Sequence, residues 1–156
     1  MRMSVAASWV EAPLKQFVDD ARVHYAVLLH PSGQVLGQYG FARSVDVMTA
    51  CALAAAIDAS SRALGMLVEG KAFPSLHYAG RERQIFLAEV PAPGGRLLLL
   101  AVFDWESSLG LLQLYHEEFR ARVGEMAPPI AHNAPAIAAD FEKELNKNLA
   151  VMFGRA

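Results

Sequence analysis

Seven consecutive apolar residues, Leu97–Phe103, constrain the fold of this chain more than any other feature. The run is far shorter than the roughly 20 residues that a membrane-spanning helix needs. A β-strand of this composition is buried on both faces, because an exposed face would show polar residues at every second position. The run therefore predicts a strand inside a sheet that is covered by helices on both sides.

Hydrophobic periodicity and turn residues divide the rest of the chain into alternating helices and strands. Every predicted link between strands is short, which favours antiparallel pairing. The predicted fold class is α/β (more strictly α+β), a five-stranded antiparallel sheet with helices on both faces and a C-terminal tail helix. The predicted elements are helix 4–22, strands 23–30 and 35–39, helix 44–68, strands 73–78, 84–90 and 96–103, and helices 108–126 and 136–153. The alternative for the first helix is a later start near Pro13, since proline is tolerated in a first turn.

Prolines separate the predicted domain from the tail. Residues 1–126 form the domain, residues 127–135 form a proline-rich linker, and residues 136–156 form an amphipathic tail helix. We expect the tail to dock on a partner, because its apolar stripe needs a surface to pack on. The alternative is that the tail completes the core of the domain itself.

Composition narrows the classes of function. The net charge is −2 and the basic residues form no stripe, so we expect no nucleic-acid partner. We find no signal peptide and no apolar run that would insert into a membrane. A single cysteine excludes an intrachain disulfide, and from these features together we expect a cytoplasmic protein.

A search for catalytic or cofactor-binding residues yields none. The hairpin glycines lack the Lys-Ser or Lys-Thr of a phosphate-binding loop. Cys51, flanked by small apolar residues, is interpreted as core, and His116 beside two glutamates as part of a solvated face. His30 and His77 could meet across the sheet, although the sequence alone does not establish this. We therefore expect a protein that is not an enzyme and binds no metal or other cofactor.

The second predicted helix is unusual because its apolar residues lie all around it. Such a helix is buried on every side, so its outer side needs a second cover. A symmetry-related copy is the simplest cover, since twofold homodimers are the commonest oligomers. The predicted dimer contacts are Ala54, Ile57, Ser61 and Leu64. The alternative is a shorter helix with one end exposed.

Three segments together resemble the roadblock domain. In Leu99–Leu112, an apolar strand ends in Phe103-Asp104, and after a polar turn Ser108-Leu109-Gly110 opens a helix. The hairpin Ala26–Leu36 and the small-residue second helix are also similar to this family. The resemblance covers residues 17–123 and points to the MglB-like bacterial members, which are homodimers that bind a small Ras-like GTPase and stimulate its GTP hydrolysis.

The resemblance implies a regulator of a small Ras-like GTPase that repositions the residues of the GTPase itself. It also implies partner contacts on the second helix and on the tail. The residues that we assign to them are Asp46, Thr49, Ser60, Phe141, Leu145, Leu149 and Met152. Two other functions stay open: a scaffold that localises a GTPase or other partner without changing hydrolysis, and a small-molecule sensor, for which no buried polar cluster is apparent.

Overall fold

The computed structural model describes residues 8–40 and 46–129, together with the single residue Lys147. A short 3₁₀ turn, Ser8–Val10, leads into the first helix. The helices are α1 (Glu11–Ala21), α2 (Val47–Glu69) and α3 (Leu109–Met126), and the strands are β1 (Tyr25–Leu29), β2 (Val35–Gly40), β3 (Ser75–Ala79), β4 (Gln84–Ala92) and β5 (Gly95–Phe103).

The five strands form one antiparallel sheet in the order β2-β1-β5-β4-β3. Strand β5 lies at the centre, between β1 and β4, and is the strand that carries the apolar run. Its alternate side chains enter two separate cores, with Leu97 and Leu99 on one face and Leu98 and Leu100 on the other. The prediction of a sheet covered on both faces is therefore confirmed.

Helices α1 and α3 cover one face of the sheet with large side chains. From α1 come Leu14, Phe17 and Val18, and the Phe17 ring lies 5.8 Å from the ring of Phe119 on α3, centroid to centroid. Leu112, Phe119 and Val123 of α3 complete this core, and all are buried. Burial of side chains of this size contributes roughly 1.5–3 kcal/mol each, so this face stabilises much of the fold.

In the part of the chain that the structure describes, helix α2 alone covers the opposite face, and it contributes small side chains there. Cys51 and Ala54 are buried against β1 and β5 residues, while Val47, Ala50 and Ile57 are half-buried around them. The helix ends at Gly70, whose positive φ of 81° closes the last turn through a hydrogen bond from its N–H to the Met66 carbonyl.

The element order agrees with the sequence, and most differences concern element ends. The first helix begins at Glu11, after the 3₁₀ turn, and β4 continues through Pro91 to Ala92, where we predicted a turn. Ala127, assigned to the linker, is buried against the core below α1 and α3 and so belongs to the domain. The predicted tail helix lies outside the described residues except at Lys147, and its existence stays a prediction.

Candidate interaction surface

The outward side of α2 is an apolar surface with no cover in the described chain. At 100° per residue, seven exposed positions fall within one sector of the helix, opposite the buried Cys51 and Ala54. We call this sector the outer face: Thr49, Leu53, Ala56, Ser60, Ala63, Leu64 and Leu67. Leu53, Leu64 and Leu67 are 59%, 53% and 83% exposed. Exposure of three leucine side chains to water on one face of a helix is energetically unfavourable.

The outer face carries no charge. Between Val47 and Val68 the only charged residues are Asp58 and Arg62, and both side chains turn towards the sheet. A solvated helix surface normally carries several charged side chains. Exposed leucines on a strip without charged side chains are typical of a surface that another protein covers.

Helix α2 also has the length and mean hydropathy of a membrane-spanning helix, although it contains no unbroken apolar run of that length. The small polar residues Thr49, Ser60 and Ser61 interrupt its apolar residues. In the fold, α2 lies on the sheet with two charged side chains among its contacts. These contacts favour a protein-covered helix, since charges inside a bilayer are costly.

Four charged residues join the middle of α2 to the β4–β5 hairpin. We call them the charge clamp: Asp58, Arg62, Glu89 and Arg96. Arg96 donates from Nη1 to Asp58 Oδ1 at 3.3 Å and from Nη2 to Asp58 Oδ2 at 2.9 Å. Glu89 Oε2 lies 3.7 Å from Arg96 Nε and 3.5 Å from Arg62 Nη1. The side chains of Asp58 and Arg96 are only 13% and 25% exposed, so water screens this pair little.

The start of α2 shows what two of the predicted partner residues do within the chain. Asp46 is the N-cap: its carboxylate accepts a hydrogen bond from the Thr49 amide at 3.3 Å and from the Thr49 hydroxyl at 2.7 Å. These two hydrogen bonds, the hydroxyl bond first, hold the pKa of Asp46 below its usual range. Both residues are exposed, and so is Ser60, so all three remain accessible to a partner.

The predicted dimer contacts are divided between the two sides of the helix. Leu64 lies on the outer face, Ile57 and Ser61 are half-buried at its margin, and Ala54 is buried beneath the helix against its own sheet. In this arrangement Ala54 offers no surface to a second copy. The sequence showed that α2 is apolar all round, but it did not show which side the sheet covers. The inward charges Asp58 and Arg62, spaced i and i+4, were the signal that could have decided this.

His116 corrects the prediction of a solvated face. The residue is only 7% exposed. Its ring packs against β4, where Nε2 donates to the backbone carbonyl of Glu89 at 3.2 Å and Phe86 packs edge-on. Its Nδ1 atom has no partner among the described residues. Burial, reinforced by the nearby charge of Arg120, lowers the pKa of His116 from 6.5 to about 4. The imidazole is therefore neutral in the folded protein near pH 7.

The other candidate residues are placed apart. His30 follows β1 and contacts Ser32, whereas His77 lies on β3 at the edge of the sheet and contacts Gln84, so the two histidines do not meet. Within residues 8–40 and 46–129, no group of three potential ligands could hold a metal ion. Cys51 is buried, as predicted, and burial raises the pKa of its thiol to about 11.

Gly65 places the end of α2 against the segment that leads into β3. A Cβ atom there would lie 2.7 Å from the Lys71 carbonyl oxygen and 2.8 Å from the Phe73 amide nitrogen. We expect Gly65→Ala to destabilise the fold by roughly 1–3 kcal/mol, because backbone must move. Gly124→Ala in α3 is the matched control, since its Cβ would meet nothing within 4 Å.

The control should gain about 0.5–1 kcal/mol from helix propensity alone. Urea denaturation of both variants measures the two effects. Stabilisation by both substitutions to a similar extent would show that α2 and the following segment are not packed as described.

Comparison with known proteins identifies the fold. The protein-family models and the curated proteins contain no match to the sequence. Among solved structures, Myxococcus xanthus MglB is similar over 76% of this chain and 94% of its own, with a TM-score of 0.69 and 24% identity. The structure titled "MglB with tetrameric arrangement" covers 81% of this chain and 93% of its own, with a TM-score of 0.70 and 21% identity. A Roadblock/LC7 domain from Streptomyces avermitilis covers 77% of this chain and 95% of its own, with a TM-score of 0.61 and 20% identity. The chain has the roadblock-type, MglB-like fold.

Proposed function

We propose that this roadblock-fold protein is a homodimer that binds a small Ras-like GTPase and modulates its GTP hydrolysis or nucleotide state. The observation that carries the proposal is the outer face of α2, an exposed and uncharged helix surface on a fold similar to that of MglB. We place the protein in the cytoplasm and assign it no catalytic residue and no cofactor of its own.

A second copy fits the outer face for geometric reasons. Two copies related by a twofold axis perpendicular to α2 bring the same face against itself, with the helices antiparallel and their dipoles opposed. Ala56 and Ser60 lie near the middle of the strip and are small enough for a close helix approach, while Leu53 and Leu64 flank them. One MglB structure is titled as a tetrameric arrangement, which is consistent with a fold that self-associates.

The free edge of the sheet supports the same assembly. Among residues 8–40 and 46–129, strand β3 pairs only with β4, so no described strand pairs with the other edge of Ser75–Ala79. Unpaired strand edges favour further pairing or need protection. We propose that the two sheets approach at β3, on the side of the molecule where α2 ends next to the segment leading into this strand.

The GTPase contact is proposed on the same helix and on the tail. We keep Asp46, Thr49 and Ser60 as contacts because they are exposed polar groups along α2. The tail residues Phe141, Leu145, Leu149 and Met152 are proposed to bind the GTPase, and this prediction falls outside the described residues. The linker and tail, 127–135 and 136–156, then act as a tether and a second contact, although Ala127 itself packs in the domain.

The proposal is tested with the full chain and a small Ras-like GTPase encoded beside its gene. We expect the two proteins to co-purify and the full chain to change the rate of GTP turnover. A chain ending after Pro129 should stay folded but bind the GTPase less tightly, because it lacks the tail. Asp46→Asn removes the charge and keeps an N-cap residue, so a loss of affinity there would reflect the partner contact.

Each alternative has a distinct result. Binding with unchanged GTP turnover and nucleotide exchange would identify a scaffold instead of a regulator. Absence of binding would refute the GTPase proposal. Unfolding of the shortened chain would show that the tail completes the domain.

A further inference from the structure

The contacts between α2 and the sheet change character along the helix. In the first half, Cys51 and Ala54 are buried among apolar side chains of β1 and β5. From Asp58 to Glu69 the only buried residue is Gly65, which has no side chain. The second half of α2 therefore lacks the apolar anchors that α1 and α3 possess.

The charge clamp replaces those anchors. The side chains of Asp58 and Arg62 extend from α2 towards the sheet. There they contact the side chains of Arg96 on β5 and Glu89 on β4. The network holds two positive and two negative charges, so it is neutral when complete. Arg96 binds Asp58 through two parallel hydrogen bonds, the geometry in which guanidinium and carboxylate groups orient each other best.

We propose that the charge clamp sets the position of the second half of α2, and that breaking it releases this segment while the rest of the domain stays folded. The released segment carries Leu64 and Leu67 of the outer face. The clamp thus acts as a positioning device for the proposed interaction surface, and only this consequence for assembly rests on the proposed function.

Local release is expected on physical grounds. Elements with few buried apolar contacts open at lower free energy than the elements that form the core. Helix α1 and helix α3 bury large side chains on the opposite face of the sheet, and none of these side chains contributes to the clamp. Loss of the clamp should therefore affect α2 much more than α1, α3 or β5.

Hydrogen exchange of the full chain, read by mass spectrometry, tests the proposal. In Arg96→Gln and in Asp58→Asn we expect amides of residues 58–69 to exchange about tenfold faster or more, with less than about twofold change in α1, β5 and α3. The double variant should resemble the single ones, because either substitution already breaks the pair. Glu117→Gln is the control, since it removes an exposed ion pair with Arg120 on α3.

Two results would overturn the proposal: unchanged exchange of α2, or an equal rise in every element, which would mean that the clamp stabilises the whole domain. Measurement at two protein concentrations distinguishes protection of α2 by dimer formation from protection by the charge clamp. Exchange of wild-type α2 that does not depend on concentration would count against the dimer and leave the comparison between variants valid.

Discussion

Leu64→Glu is expected to weaken the proposed dimer about a hundredfold or more, because a desolvated carboxylate costs several kcal/mol and the twofold axis introduces it twice. Leu64 is 53% exposed in the single chain and makes no contribution to the buried cores, so the fold should persist. Ile57→Glu is less informative, since Ile57 is half-buried against its own sheet. Light scattering at micromolar concentration, with circular dichroism for the fold, measures the effect.

Leu114→Glu provides the matched control for this variant. Leu114 is 56% exposed, nearly the same as Leu64, but it lies on α3, away from the outer face. The control should remain as dimeric as the wild type. A wild-type chain that is monomeric at micromolar concentration, or equal dissociation of both variants, would contradict a dimer built on α2.

The second large effect is acid destabilisation through His116. The pKa of this residue is 6.5 in an unperturbed chain and about 4 in the fold. Between these values the unfolded chain binds a proton that the folded chain does not, so stability falls as the pH falls from about 6.5 to 4. A difference of this size corresponds to about 3 kcal/mol, fully present as stability above the unfolded pKa and lost near pH 4.

His116→Gln isolates this contribution from those of other groups. Glutamine can still donate to the Glu89 carbonyl but does not titrate, so acid effects from Asp46 and Asp104, whose pKa values lie below the usual range, remain in both proteins. Urea denaturation at pH 7 and pH 4.5 should show a smaller loss in the variant. The same loss in both proteins would mean that His116 is hydrated and titrates normally.

Local patterns of the sequence determined most of the fold. Leu97–Phe103 required a central strand with two covered faces, and β5 occupies that place between β1 and β4. Local side chains also close the starts of two helices, because Asp46 and Ser108 accept hydrogen bonds from amides three residues later. Such features depend on residues that are close together in the sequence, and so they can be recognised from the sequence alone.

Only the tertiary structure decided which sides of α2 and α3 are covered. Sequence patterns described α2 as apolar all round, yet the sheet takes Ala54 and leaves Leu53 and Leu64 outside. His116 looked solvated beside its charged neighbours, although α3 is rotated so that this ring faces β4. Helix orientation depends on the sum of weak packing terms from distant strands, including an ion pair between Asp58 and Arg96 that are 38 residues apart. Contacts between residues far apart in the sequence cannot be read from a local pattern, so the outer face was identifiable only from the folded structure.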